Sequence, residues 1–313
     1  MKKTLVKVAI SLLLIVVLLN GADVPGLIAR FHGVNPWYLL LAALVMFLLA
    51  LAHAFRWAAI VRSNGGTMRF ATSLKLVYVG YFFSQALPSS IGGDAMRIWQ
   101  AHRSGLSLGT ALNTVVVDRL IGLAALLIMT AVALPWLMDL VVDPAMRWAI
   151  VIVLVCGAGG FAALLVLNRL PEFVFRWKVV RAALQLSEAV RKTLLNANSG
   201  SLTLVLSVGV HVGVALVVFI LAGALGVGFS LAHCIILVPL VMLATLLPIS
   251  IAGWGVREGA MVLALGLIQV SRSDALAVSV LFGATLLVTS LPGGVLWWRT
   301  NHPASSSAAH PKN

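Results

Sequence analysis

The sequence predicts an all-α polytopic membrane protein: about six full spans plus two broken re-entrant hairpins, about eight membrane segments in all, arranged as an inverted repeat. Three observations predict it. The 313 residues are 61% hydrophobic and only 10% charged, whereas soluble domains carry about 25% charged residues. Apolar stretches of about 18 residues or more recur along the chain, long enough to cross a bilayer as helices. Finally, one motif occurs twice, 160 residues apart: Leu87-Pro88-Ser89-Ser90-Ile91-Gly92-Gly93-Asp94-Ala95-Met96-Arg97 and Leu247-Pro248-Ile249-Ser250-Ile251-Ala252-Gly253-Trp254-Gly255-Val256-Arg257. Leu, Pro, Ser, Ile, Gly and Arg coincide at one constant offset without a gap.

Taken in order, the first span covers residues 4–20. Lys2, Lys3 and Lys7 precede it and no small-residue cleavage site follows, so it reads as a retained anchor. Full spans follow at 36–62, 108–135, 147–168, 201–222 and 275–298. The motif segments, about 74–104 and 230–270, are different. Their apolar first halves (74–88 and 230–248) are short for a crossing. The second half of the first is too polar to face lipid, with Arg97, His102 and Arg103. Residues 170–184 place Leu170, Phe173, Val174, Trp177, Val180 and Leu184 at helical spacing among basic residues. That is the pattern of an amphipathic helix on the cytoplasmic leaflet, within a linker at about 169–198. The tail, 301–313, is rich in Ser, Ala and Pro and reads as disordered. The membrane domain is therefore about 1–300, with repeat halves at about 36–135 and 201–298.

The net charge of +13 does not point to nucleic acid, because the charges lie between hydrophobic spans. Basic residues in such places fix orientation and meet anionic lipid heads. With both termini in the cytoplasm and 74–104 returning to its own side, 16 of the 22 basic residues are cytoplasmic. Arg56, Arg62, Arg69 and Lys75 then gather at one inner boundary. Each half reads span, broken hairpin, span, and the halves enter the membrane from opposite sides. Two unrelated Leu-Pro kinks would be the plainer explanation of the echo. Cys156 and Cys234 form no metal spacing, and no metal or cofactor is expected.

Backbone that leaves a helix at membrane depth must be buried by protein or reached by water. Pro88 and Pro248 stop the first half-helices; Gly92, Gly93 and Gly253 let the chain turn and approach a ligand. The restarting half-helices point their N-terminal amides inward, with Arg97 and Arg257 one turn in, which suits a phosphate. Snorkelling of Arg97 to the surface is the alternative. Asp94, Glu258 and the pair Asp118-Arg119 accompany the arginines as charge partners or proton carriers. Neighbours on a helix point about 100° apart, so Asp118 and Arg119 must find partners elsewhere. Asp94 can also cap its half-helix. Gly209…Gly213 is a GxxxG packing face, and His211 and His53 read as interhelical hydrogen-bonders.

The motif of 87–97, the pair Asp118-Arg119 and the Pro-x-Ser-x-x-Gly-x-Gly-x-Arg-Glu-Gly run of 248–259 together resemble the lysylphosphatidylglycerol synthase transmembrane (flippase-like) family, over nearly the whole chain. Two departures stand out: Asp118 where Glu is expected, and Ala252 where Gly is frequent. The resemblance implies a multi-pass protein of the bacterial inner membrane that moves a lipid between leaflets. Large members carry a soluble aminoacyl-transferase domain after the membrane part; with the chain ending at Asn313, lipid aminoacylation is not expected. The expected substrate is an anionic phospholipid, its phosphate met by Arg97, Arg257 and Arg119, and the expected partner a lipid-synthesis enzyme. No Walker loop and no His-Glu-x-x-His occurs, so catalysis is not expected. A membrane-embedded transferase acting on a phospholipid or polyprenyl-linked substrate, or an accessory subunit of lipid synthesis, are the alternatives.

Overall fold

The computed structural model describes residues 31, 33–87, 91–169, 178–246 and 252–301. Among these lie eleven α-helices: α1 (Pro36–Ser63), α2 (Phe70–Ala86), α3 (Ile91–Arg103), α4 (Leu108–Val132), α5 (Leu134–Leu140), α6 (Pro144–Val166), α7 (Lys178–Leu194), α8 (Ala197–Ala224), α9 (Leu231–Thr245), α10 (Val256–Gly266) and α11 (Arg272–Asn301). Five of them, α1, α4, α6, α8 and α11, are long and apolar enough to cross a membrane. They answer to the five full spans expected from residue 36 onward. The first expected span, 4–20, and the tail from 302 lie outside the described residues, as do Pro88 and Pro248.

Local chemistry fixes the helix starts. Asn35 accepts a hydrogen bond from Trp37 N at 3.0 Å and Pro36 fills the first position of α1, where a missing N–H costs nothing. Asp143 and Pro144 start α6 in the same way. The expected span 108–135 stops at Val132. Pro135 has no N–H to continue the ladder, and it opens the short α5 instead.

Each motif segment forms two helices around a break. The first, α2 and α3, flanks residues 88–90. The second, α9 and α10, ends in a turn at 252–255 with left-handed backbone at Ala252 (φ 49°), Gly253 (φ 80°) and Gly255 (φ 87°). Only glycine takes that conformation without strain, so Ala252 stands at a strained position.

The packing has a regular plan. α1 packs on α2, α2 on α3, α3 on α4 and α1 on α4; likewise α8 on α9, α9 on α10, α10 on α11 and α8 on α11. Across the halves α1 meets α8, α2 meets α11, α9 meets α4, α8 meets α4 and α1 meets α11. Exchanging α1 with α8, α2 with α9, α3 with α10 and α4 with α11 maps this set of contacts onto itself. The α2–α11 crossing is close: a Cβ at Gly293 would collide with the Tyr78 carbonyl, and one at Gly294 with the Phe82 ring. Gly213 similarly receives Leu49 of α1, while Gly209 has no neighbour there, so half of the GxxxG serves packing.

The largest core joins α8, α9, α10 and α11 through Leu221, Leu237, Met261, Leu265 and Phe282. A second core sets Trp57 of α1 against Leu76 and Val77 of α2 and Val115 of α4. Outside, Trp37, Leu44, Phe47, Trp148 and Val155 are exposed, whereas Arg56, Arg97, Asp118, Arg257 and Glu258 are buried. An apolar exterior around charged interior groups is the pattern of a protein solvated by lipid. The expected amphipathic helix at 170–184 falls only in part within the described residues. From Lys178 the chain is helical on to Leu194, and α7 packs on α4, α6 and α8 with Ala189 and Val190 buried. Ser187 Oγ donates to Leu164 O of α6 at 2.6 Å. Its apolar stripe is used against neighbouring helices. Residues 170–177 lie outside the described set.

Candidate functional site

Asp118 lies ten residues into α4, so about 15 Å along a helix of 1.5 Å rise, and its side chain is 1% exposed. Three basic side chains from two other helices converge on it. Arg56 Nε donates to Oδ1 at 2.8 Å, Arg97 Nη1 donates to Oδ2 at 3.0 Å, and His53 Nε2 lies 2.8 Å from Oδ2. His53 and Arg56 are three apart on α1 and share a face. His53 Nδ1 lies 2.8 Å from the Tyr81 hydroxyl of α2. An ionised carboxylate only accepts, so Nε2–H points to Asp118 and the tyrosine O–H points to Nδ1. Arg56 Nη1 donates to Ser207 Oγ of α8 at 3.0 Å, which ties the centre to the second half of the chain.

Arg97 is the focal residue. Its side chain is 3% exposed, its guanidinium stands 4.2 Å over the Trp57 ring, and its methylenes lie against Gly80, where a Cβ would collide with them. Beyond Asp118, its one other acidic neighbour among the described residues is Asp94 Oδ1, 3.7 Å away. Arg97 Nε and Nη2 are buried and have no hydrogen-bond partner among the described residues. Buried guanidinium N–H groups are costly to leave unpaired.

Arg119, next in sequence to Asp118, points elsewhere. It clamps Asp94 with two hydrogen bonds, Nε to Oδ2 at 2.8 Å and Nη2 to Oδ1 at 3.0 Å. Its side chain is 52% exposed. Asp94 therefore serves α3–α4 pairing, not the cap that its place in the first turn of α3 suggested. Together Arg56, Arg97 and Arg119 face Asp94 and Asp118, so with neutral His53 the centre holds one more cation than anion.

The second half builds a different site. Arg257 Nε donates to Glu258 Oε1 at 3.0 Å, and Nη2 to the same oxygen. The Glu258 Oε2 atom accepts from Gly255 N, closing the first turn of α10. Ser279 Oγ of α11 donates weakly to Oε1 at 3.4 Å. The Arg257 guanidinium lies 4.6 Å from the Trp254 ring and 5.8 Å from Phe282. Gly283 makes room for it, since a Cβ there would collide with Nη2. Ser279 stands 160 residues after Arg119, so at the offset of the repeat the second half puts a hydroxyl where the first has a base.

Arg97, Asp94, Asp118 and Arg119 are thus brought together, while Arg257 and Glu258 pair apart from them, and the two groups share no partner. Gly93 serves the α2–α3 contact, where a Cβ would collide with Gly80 O and Ser84 Oγ; Gly92 lies against Leu87. Gly253 sits in the strained turn before α10. Arg56 corrects the charge map: it is 6% exposed and paired inside the bundle, not gathered with Arg62 and Arg69 at a boundary. His53, Tyr81 and Ser207 were not expected in this centre. His53 and Arg56, three apart in an otherwise apolar helix, were the available signal. His211 does bridge helices, with Nε2 3.1 Å from Gly122 O.

The family described as Lysylphosphatidylglycerol synthase TM region matches residues 4–293 of this chain. A UPF0104 membrane protein of Methanocaldococcus jannaschii is 28% identical over 130 residues, 41% of this chain. The match spans about two-fifths (39%) of that relative's length.

Proposed function

The chain belongs to the lysylphosphatidylglycerol synthase TM region family, and from that premise we propose that it is a lipid transporter of the flippase type, moving a phosphate-bearing lipid between the leaflets of the bacterial inner membrane without catalysis of its own. One observation carries the reading. Among the described residues, the buried centre around Asp118 has a surplus cation, and Arg97 Nε and Nη2 have no partner. A phosphodiester brings one negative charge and two acceptor oxygens, which completes both the charge and the hydrogen bonding.

Two further features support it. A half-exposed Arg119 on a membrane-crossing helix, paired with Asp94 of α3, is expensive against hydrocarbon, which favours a hydrated cleft along α3 and α4. The interchangeable packing of the two halves favours an inverted repeat, with both termini cytoplasmic and the α2–α3 and α9–α10 hairpins entering from opposite sides. Transporters of that design move substrate by rocking one repeat against the other. Arg257 then belongs to the opposite mouth, where Glu258 holds it until a head group arrives.

The test is a reconstituted liposome assay with fluorescent phosphatidylglycerol and a membrane-impermeant quencher. The protein should render both leaflets accessible to quenching over time. Arg97→Gln should slow this at least tenfold, and Arg257→Ala should also abolish movement. Chemical alteration of the lipid without movement between leaflets would establish the transferase reading instead.

A further inference from the structure

We propose a second anion site, at the end of the first hairpin where α2 begins and α3 finishes, built for a phosphate monoester or diphosphate group. A cavity of about 510 Å³ opens between the loop before α2, the first turns of α2, the last turns of α3 and the end of α11. Three basic residues line it, Arg69, Lys75 and Arg103, and among the described residues no carboxylate does. Among the described residues none of the three takes part in an ion pair; Arg103 only lies 4.8 Å over the Trp99 ring. The site stands apart from the transport reading, because its occupancy is measured without any lipid movement.

Two other features point to an anion. The N-terminus of α2 reaches the same cavity through Arg69 and Thr72, and Arg69 at its cap position gives no side-chain hydrogen bond to the first turn. Unsatisfied amides and the helix dipole there attract negative charge. The wall also carries neutral donors, the hydroxyl of Thr72, the amide of Gln100 and the Asn301 amide, one N–H of which donates to Trp297 O at 3.0 Å. Basic residues that only set orientation are spread along a membrane boundary. Here three are gathered around one concavity with amide donors between them.

The charge count selects the ligand class. Three cations exceed what a singly charged phosphodiester neutralises. A monoester or diphosphate carries two or three charges near neutral pH and more terminal oxygens for guanidinium forks. Gln100 follows Arg97 by three residues on α3, so the cavity borders the charged centre at a rise of about 4.5 Å. The same chemistry can arrive on a lipid or on a soluble phosphate ester.

Calorimetric titration of the purified full-length protein in detergent tests this with three probes: glycerol 1-phosphate, dioctanoyl phosphatidic acid and zwitterionic dioctanoyl phosphatidylcholine. Both monoesters should bind saturably and phosphatidylcholine should not. Arg103→Gln should weaken binding about tenfold, and Arg69→Gln with Lys75→Gln by more, since each removes a charge-assisted contact. Arg69 and Arg103 are exposed, so an unchanged unfolding temperature will show the variants folded. Phosphatidic acid binding tenfold tighter than glycerol 1-phosphate assigns a lipid-borne ligand; equal binding assigns a soluble one. Absence of saturable binding, or equal binding by wild type and the double variant, overturns the site. Arg97→Gln separates the two proposals: it should keep glycerol 1-phosphate binding while losing lipid movement.

Discussion

Asp118 and Arg119 are adjacent on α4, yet they serve opposite sides of it. The acid is buried between Arg56 and Arg97, and the base, half exposed, clamps Asp94 on α3. The 100° between successive helical positions turns one acid–base dipeptide into two separate ties between helices.

Removing the buried acid should damage the fold. Asp118→Asn leaves Arg56 and Arg97 without their carboxylate, and an uncompensated buried charge costs about 3–5 kcal/mol. Thermal unfolding in detergent should show a clear drop. Asp118→Asn combined with Arg97→Gln should lose less than the two single losses added, because the pair is coupled. Strict additivity would mean that the two do not interact.

The exposed pair should behave differently. Arg119→Gln faces solvent screening and should cost no more than about 1 kcal/mol of stability. Lipid movement, in contrast, should fall severalfold if the α3–α4 cleft carries the head group. Exchanging the residues (Asp94→Arg with Arg119→Asp) should restore stability but only part of the movement. A full recovery of movement would reduce the pair to a structural tie.

The two glycines of α11 offer a contrast in packing. At Gly293 a Cβ meets the Tyr78 backbone, which cannot step aside; at Gly294 it meets the Phe82 ring, which can turn. Gly293→Ala should therefore destabilise by about 1–3 kcal/mol, and Gly294→Ala by clearly less. Equal losses would show that the α2–α11 crossing is more yielding than its geometry.

Topology has a direct measurement. In a background with Cys156, which is exposed, replaced by Ser, single cysteines at 102–106 and at 271–274 should label from opposite sides of the membrane. Labelling from one side removes the inverted repeat and with it the rocking mechanism.

Much of this was legible beforehand because it rests on local chemistry. Pro36 and Pro144 announce helix starts, and α2 and α9 both end before the Leu-Pro positions that the echo marked. The 100° between neighbours on a helix required Asp118 and Arg119 to find separate partners, and they do. What was not legible was depth. α1 runs for 28 residues, about 42 Å at 1.5 Å rise, longer than the 30 Å hydrocarbon core. Nothing local says which of its turns reaches the centre, so Arg56 read as a boundary charge. Partners fail for a related reason: Arg56 meets Asp118 and Ser207 only once α1, α4 and α8 are packed. The second motif misled through its likeness to the first. Arg257 has an acid beside it on α10, while Arg97 must look across to α4.

That last difference has a mechanical consequence. Shifting α3 against α4 would pull apart ion pairs of 2.8–3.0 Å, whereas α10 carries both members of its pair on its own backbone. The first hairpin is bolted to its surroundings and the second is only seated in them. If one end of the molecule yields first when a head group arrives, it is the end that can move without separating charges, around α10.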